Sequence, residues 1–464
     1  MTDEIDRRTV LRGIGAGAMT LGVAGTASAG GRARFVATAP GADAAGAVED
    51  SGFAVEHALA GGEVLLVSGP DDEDALAGVE AVGKVTRDFA IELKEPERIE
   101  STDESIDEDL FSLQWDKQDS TTDAAIAHDT ATGDGATVAI IDTGVDPDHP
   151  DLESNVDRDA GRLFRYGEVS HDARDVYGHG THVAGIAAAS DEGTQGIVGT
   201  APDAEIVSLR VFFYDDVDGD GDEELTATFG DILLAIDHAA AIGADAMNMS
   251  IGTPPIPPQG NAGGIRGSME RVVQHATTEG SLVVVSAGNS AADLQEGGYF
   301  TLPNSLAGAM SISATGPNDE LVFYSNYGTN EIDVGAPGGG YETLEKTLCR
   351  EDGTVAGSCE DEKTRRECEE CDPTEWPFPT NLVLSSVPPE IYDTEYAYFA
   401  GTSMAAPQVT GTAALVREVA PDASARRVER AIEQGAESVD GAGDDELGAG
   451  RLNCDRALDA DVIE

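Results

Sequence analysis

The sequence predicts a doubly wound α/β domain with a mostly parallel sheet, preceded by a small α/β module. Three observations carry this. Unbroken apolar runs of strand length recur from Thr137 onward: TVAIID, AEIVSLRVF from Ala204, ADAMNMSIG from Ala244 and SLVVVSAGN from Ser281. Segments with a helical period lie between them, FGDILLAIDHAAAIG from Phe229 and SMERVVQHATTEG from Ser268, each closing on a glycine. Buried strands separated by helices require a parallel sheet covered on both faces, with functional residues at the strand C-terminal ends. Third, a shorter alternation runs from Ala33 to Leu93 and is set apart by an acidic stretch.

Taken in order, residues 1–29 read as a targeting segment. Arg7-Arg8 precede a weakly apolar, glycine- and alanine-rich run that ends in Ala27-Ser28-Ala29. That pattern matches a twin-arginine export signal. The run is too short and too glycine-rich to span a membrane, and no later segment approaches a span. Residues 30–93 form the small module: RFVATA as a strand, AGAVEDSG as a helix, EVLLVSG as a strand, DEDALAGVEAVG as a helix and VTRDFAIEL as a closing strand. Residues 94–111, rich in Glu and Asp, read as an exposed linker and processing region. The remaining chain, 112–464, holds the large domain, with a cysteine-containing insertion at about 340–381. No internal repeat is visible.

Twenty-eight basic residues stand against 88 acidic ones, a formal net charge of −60, and only 5% of residues are aromatic. Strong patterning excludes the disorder that such a balance often marks. Acid spread along the whole length points to a surface suited to high salt, where screening removes self-repulsion, a composition common in salt-loving archaea. It excludes nucleic-acid binding, which needs basic patches.

Four short blocks carry chemistry. Asp142 ends the strand TVAIID and is followed by Thr-Gly. His179 lies in the turn YGHGTH before a small-residue helix. Asn289 ends the strand SLVVVSAGN. Ser403, in GTSMAAP, opens the apolar helix TSMAAPQVTGTAALVREV. Serine at a helix N-terminus has free backbone N–H groups beside it, suited to a developing oxyanion. Asp, His and Ser in this order supply a nucleophile, a base and a group that fixes the base's tautomer. The strand-end amide of Asn289 is a second oxyanion donor.

These blocks, DTG at Asp142, HGTH at His179, SAGN at Asn289 and GTSMAAP around Ser403, resemble those of the subtilisin-like serine peptidases, over roughly Ser112 to Ala460. The resemblance implies a secreted endopeptidase that acts on proteins and peptides as a monomer. The small module is implied to be a propeptide that inhibits the enzyme until it is cut away. Ser250, Ile251 and Gly252 are implied to pair with an extended substrate backbone, a form of β-augmentation. Ala287 and Gly288 are implied to wall the pocket for the residue before the cleaved bond. The family does not use His182 as the base, which leaves it a packed helix residue. A non-catalytic peptide-binding protein on the same fold and a dedicated processing convertase are the rival readings.

Calcium is the expected cofactor. Asp216, Asp218 and Asp220 alternate before Gly221, the front half of an EF-hand-like loop, although Ala227 stands where the closing acid would be. The alternative is a solvated acidic loop. The family resemblance adds a second site at Gln114 and Asp151, completed by the loop 190–196. Four cysteines, Cys349, Cys359, Cys368 and Cys371, fall in the insertion, and Cys454 stands apart. For an exported chain two disulfides are expected, their pairing open. The alternative is a zinc site with Cys368-x-x-Cys371 as one half. Cys454 is expected to be free and buried.

Overall fold

The computed structural model describes residues 19–26, 28–29, 32–41, 43–93, 110–118, 120–191, 196–216, 221–257, 264–295, 299–356, 370–459 and 463. The main sheet has eight strands: β1 (Thr137–Asp142), β2 (Arg162–Arg165), β3 (Glu168–Ser170), β4 (Glu205–Arg210), β5 (Ala246–Met249), β6 (Leu282–Ser286), β7 (Ala309–Thr315) and β8 (Val334–Pro337). Their order is β3-β2-β4-β1-β5-β6-β7-β8. Only the β3–β2 pair is antiparallel. The sheet grows in one direction from β1 to β4 and in the other from β1 to β5. A crevice therefore opens at the C-terminal end of β1, where Asp142 sits.

Helices α1 (His179–Ala188), α4 (Thr402–Val419) and α5 (Ala425–Gly435) pack on one face, through Val183, Ile186, Met404, Val409, Val428 and Ile432. Helices α2 (Phe229–Ala241) and α3 (Ile265–Glu279) pack on the other, through Ile232, Leu233, Ile236, Met269 and Val272. Central strands such as β6 are buried along their whole length, which is why they read as continuous apolar runs. Helix α4 is buried from Thr402 to Arg417. Gly411 lets it approach its neighbours, since a Cβ there would lie 2.5 Å from Thr200 Cβ and 2.7 Å from the Ala187 carbonyl. The α3 pattern ends at Gly280, whose φ of 115° only glycine adopts freely.

The N-terminal module has its own antiparallel sheet, Arg32–Thr38 between Val64–Gly69 and the short Ser28–Ala29, with Ala54–Leu59 beyond Val64–Gly69. Val85–Arg87 also pairs with Arg32–Thr38. Phe35, Val48, Phe53, Leu65, Val67 and Leu76 form the core. Three expectations need correction. Ala54–Leu59 is a strand that the sequence pattern hid, because as a partly exposed edge it carries Glu56 and His57 among its apolar residues. The second helix covers only Glu73–Ala77, stopping at Gly78. The closing strand VTRDFAIEL breaks into Val85–Arg87 and Phe89–Leu93. The break is at Asp88, whose carboxylate leaves the module and accepts the Gly230 N–H at 2.9 Å, in the first turn of α2.

Asp88 belongs to a buried charged seam between module and main domain. Arg34, 1% exposed, lies 3.4 Å from Asp88, 3.4 Å from Asp231 and 3.5 Å from Glu56. His57 Nε2 bonds the Gly167 carbonyl at 2.7 Å, and the Ala60 N–H donates to Asp237 at 2.7 Å. Beyond Asp88 the chain runs across the main domain. Phe89–Leu93 pairs antiparallel with Glu224–Thr228, and Met19–Thr26 lies between Phe89–Leu93 and the edge residues Ile251–Gly252. Arg7 and Arg8 lie outside the described residues, as do residues 94–109 of the linker.

In the insertion, Cys349 and Cys371 form a disulfide, which removes both from zinc ligation and overturns the Cys368-x-x-Cys371 half-site. Cys359 and Cys368 lie outside the described residues. The flanks of the insertion join the main core through Leu348, Val355 and Phe378. Cys454 is free and buried, and burial pushes its thiol up to about 11. Among the described residues no helix is long and apolar enough to cross a membrane.

Candidate active site

The structure brings Asp142, His179, Asn289 and Ser403 to one end of the sheet. Asp142 is fully buried at the end of β1, and its Oδ1 accepts the Thr143 N–H at 2.7 Å. The same oxygen lies 2.8 Å from His179 Nδ1. His179 opens α1 after Gly178, whose φ of 111° and close packing against Tyr392 exclude a side chain. The imidazole is held with Nδ1 toward a carboxylate, which fixes the orientation of the ring.

Ser403 is the second residue of α4 and is fully buried. Its Oγ donates to the Ser250 carbonyl at 3.2 Å. In return Ser250 Oγ donates to the Ser403 carbonyl at 2.7 Å and accepts from Asn248 Nδ2 at 2.9 Å. Asn248 Oδ1 accepts from Thr410 of α4 at 3.1 Å. The end of β5 and the first turns of α4 are thus tied together side chain to backbone. Pro407, the sixth residue of α4, has no N–H to offer the Ser403 carbonyl one turn earlier, and that carbonyl accepts from Ser250 Oγ instead.

Asn289 is oriented by Thr402. Its Oδ1 accepts the Thr402 N–H at 3.0 Å and the Thr402 hydroxyl at 2.6 Å. Its Nδ2 is buried and makes no hydrogen bond. The amide therefore presents a donor beside the start of α4. Thr402 Oγ1 also accepts the Gly288 N–H at 3.1 Å. The Ala287 carbonyl accepts from Asn326 Nδ2 at 2.8 Å and from Asn304 Nδ2 at 3.3 Å, while Asn326 Oδ1 accepts from Ser290 and Ala292. Gly288 has φ 100°, and a Cβ there would meet Asn326 Nδ2 at 2.6 Å. Asn326 holds the whole 287–292 turn, and no block around it in sequence singled it out.

The expected substrate edge is occupied by the chain itself: Met19 pairs with Ile251 and Thr20 with Gly252. Ser250, fully buried, supplies its carbonyl to Ser403. His182 is away from this chemistry. It stacks on Phe399 at 4.2 Å and bonds the Ala397 carbonyl, and burial pulls it down to about 3, so it stays neutral.

The two calcium expectations fare differently. Asp218 and Asp220 lie outside the described residues; Asp216 is exposed and accepts the Gly221 N–H at 3.2 Å. Gln114 and Asp151 converge on neighbouring residues of one loop. Gln114 exchanges two hydrogen bonds with the Val198 backbone, at 2.8 and 2.9 Å. Asp151 Oδ2 accepts from the Ile197 N–H at 3.1 Å and the Tyr396 hydroxyl at 2.8 Å. Asp151 Oδ1 is buried without a hydrogen bond. A carboxylate oxygen left in that condition fits a hard cation. Among the described residues the one group of three carboxylates close enough to share an ion is Asp333, Glu429 and Glu433, which the sequence reading did not mark.

Residues 133–450 match the model of the Subtilase family. A thermophilic serine proteinase of Bacillus sp. strain AK1 is 32% identical over 332 residues, covering 71% of this chain and 63% of that protein. Thermitase of Thermoactinomyces vulgaris is 32% identical over 338 residues, covering 72% of this chain and 91% of that protein. In fold, the epidermin leader peptide processing serine protease of Staphylococcus aureus superposes with a TM-score of 0.68 at 22% identity, covering 93% of this chain and 98% of that structure.

Proposed function

Because this chain belongs to the subtilase family of serine peptidases, we propose that it is an exported endopeptidase, made as a precursor, with Asp142, His179 and Ser403 as its catalytic triad. The observation that carries this reading is the 2.8 Å contact between Asp142 Oδ1 and His179 Nδ1, set beside a serine in the first turn of a buried helix. Ser403 Oγ attacks the peptide carbonyl while its proton passes to His179 Nε2. The Nδ1–H bond to Asp142 holds the tautomer and stabilises the imidazolium. The proton now on Nε2 then goes to the departing amine as the C–N bond breaks, leaving an acyl ester on Ser403 that water hydrolyses. The oxyanion is held by Asn289 Nδ2 and the Ser403 N–H. Asn289 can offer only its NH₂ there, because Thr402 occupies its oxygen.

Residues 30–93 act as the propeptide. The support is the buried Arg34 seam, the Asp88 cap on α2 and the strand Phe89–Leu93, which leads the chain along Glu224–Thr228 toward the linker. Export rests on Arg7-Arg8 and the run that follows them. Ser250, Ile251 and Gly252 receive an extended substrate backbone, and Ala287 and Gly288 border its first pocket. Structural calcium, common among subtilases, would be held by Gln114, Asp151 and the loop 190–196. When bound it neutralises the unbonded Asp151 oxygen and fixes the segment at Gln114 to the body of the domain. The test is Ser403→Ala: the purified variant fails to hydrolyse peptides and keeps its N-terminal module attached. A variant that processes itself and cleaves casein at the wild-type rate refutes the assignment.

A further inference from the structure

We propose that Asp175, which no block of the sequence marks, is a positioning residue that holds Asp142 and His179 in register; the proposal rests on the triad reading above. Asp142 and His179 sit on separate segments, one leaving β1 and one entering α1. Their 2.8 Å contact is only as good as the alignment of those segments. The backbones run side by side just behind the site: Val145 N–H donates to the Ala173 carbonyl at 3.2 Å, Asp175 N–H to Val145 at 3.3 Å and Val176 N–H to Thr143 at 3.3 Å.

Asp175 locks this pairing from within. It is 5% exposed and accepts five hydrogen bonds. Its Oδ1 takes the Thr143 hydroxyl at 2.8 Å and the N–H groups of Tyr177 and Gly178 at 2.9 Å each. Its Oδ2 takes the Thr181 N–H at 2.9 Å and the Thr181 hydroxyl at 2.6 Å. Thr143 passes the restraint to both partners: its N–H donates to Asp142 Oδ1, and its Oγ1 accepts the Gly180 N–H at 2.9 Å. Thr181 passes it on to the Asp146 N–H at 3.0 Å. The turn that carries His179 and the turn that follows Asp142 thus hang on one carboxylate. The two segments also pack closely, since a Cβ on Gly180 would lie 2.1 Å from the Gly144 carbonyl oxygen.

Such an arrangement has two consequences. Misalignment of reacting groups by about 1 Å costs on the order of a hundredfold in rate. In addition, Asp175 accepts the N–H of Gly178, the residue before His179, so a carboxylate lies beside the turn that carries the imidazole, and a nearby anion favours the protonated ring. The other charged groups around the two segments are Asp142, Asp146 with Arg174, Arg210 with Asp172, and His182, which burial keeps neutral. Of these, Arg210, pulled down chiefly by burial, is held up in part by Asp172 and Asp175, and Asp142 is reached from Asp175 through Thr143.

The experiment compares Asp175→Asn, Thr143→Val and Thr143→Ser in the full chain, with kcat, KM and the pH dependence of kcat/KM on a short peptide substrate, and Ser403→Ala as control. For Asp175→Asn the expected result is a fall in kcat of about ten- to a hundredfold with KM within about threefold. The acid limb, set by His179, moves to lower pH, because a carboxylate beside its turn is lost. Thr143→Val lowers kcat similarly but leaves the limb in place, and Thr143→Ser restores activity. Wild-type kcat in Asp175→Asn overturns the proposal. So does an unmoved acid limb in a folded Asp175→Asn. If Asp175→Asn does not fold, Thr143 decides: equal damage from valine and serine, or none from valine, overturns it. Activity in Ser403→Ala would refute the triad reading itself, whatever Asp175 does.

Discussion

Asn289, the proposed oxyanion donor, owes its orientation to a neighbour. Its oxygen is engaged by both donors of Thr402, so its NH₂ group alone remains for an incoming charge. An amide used in this way acts on the transition state and hardly on the bound substrate. Asn289→Ala is expected to lower kcat by about a hundredfold or more, with KM within about threefold. Steady-state kinetics on a peptide substrate measures this, and an effect confined to KM contradicts it. At this scale the sequence was legible where a residue sits in a distinctive block. Asp142 ends a strand, His179 and Ser403 open helices, and Asn289 lies in the turn just beyond the strand that ends at Ser286, each with glycines nearby. Asp175, Thr143, Asn326 and Thr402 were not legible as site residues, because their work is to bond backbone groups of other segments. Asp-Val-Tyr-Gly reads as an ordinary turn until the partner loop is in view.

At the scale of elements, the N-terminal ends of helices decide much of the architecture. Helix α2 has Thr228 as its cap, whose hydroxyl accepts the Asp231 N–H, and the Gly230 N–H is satisfied by Asp88 from a distant part of the chain. That cap explains why one continuous apolar pattern, VTRDFAIEL, is two strands: Asp88 must turn out of the module to reach it. The loop that receives Gln114 and Asp151 poses the opposite problem, a buried carboxylate oxygen with no donor. A cation that binds only the folded state adds stability by mass action. A chelator is therefore expected to lower the melting temperature of the wild type by several degrees and that of Asp151→Asn by clearly less. Scanning calorimetry with and without chelator measures the difference. Equal shifts would place any calcium elsewhere, with Asp216 the next residue to test.

For the whole molecule, the central question is how the N-terminal module docks on the main domain and how that docking responds to pH. Burial pushes the Asp88 carboxyl up to about 6, Arg34 opposing the shift and Asp231 adding to it, against an ordinary value of 3.8. A carboxyl whose value is raised in the docked state binds a proton more tightly there than when exposed. Docking is therefore strengthened as pH falls from about 6 toward about 4 and weakened above 6. Asp333, pushed up to about 7 chiefly by burial and further by Glu429, Glu433 and Glu331, adds to stability in the same direction. In the uncleaved Ser403→Ala precursor, the melting temperature is expected to be higher at pH 5 than at pH 8. Replacing Asp88 by Asn should narrow that gap. A gap unchanged by the substitution would show that Asp88 does not couple docking to protons.

The sheet and its covering helices were readable because buried parallel strands cannot hide their apolar runs. The edge strand Ala54–Leu59 and the pairing of Phe89–Leu93 with Glu224–Thr228 were not, since both depend on partners remote in sequence. The most direct measurement is covalent labelling with a serine-directed sulfonyl fluoride, followed by peptide mass mapping of the mature enzyme. One adduct is expected, on the peptide that contains Ser403, rising in proportion to the activity lost and absent from His179→Ala. Complete inhibition with Ser403 unmodified, or undiminished hydrolysis with Ser403 fully modified, would contradict the account.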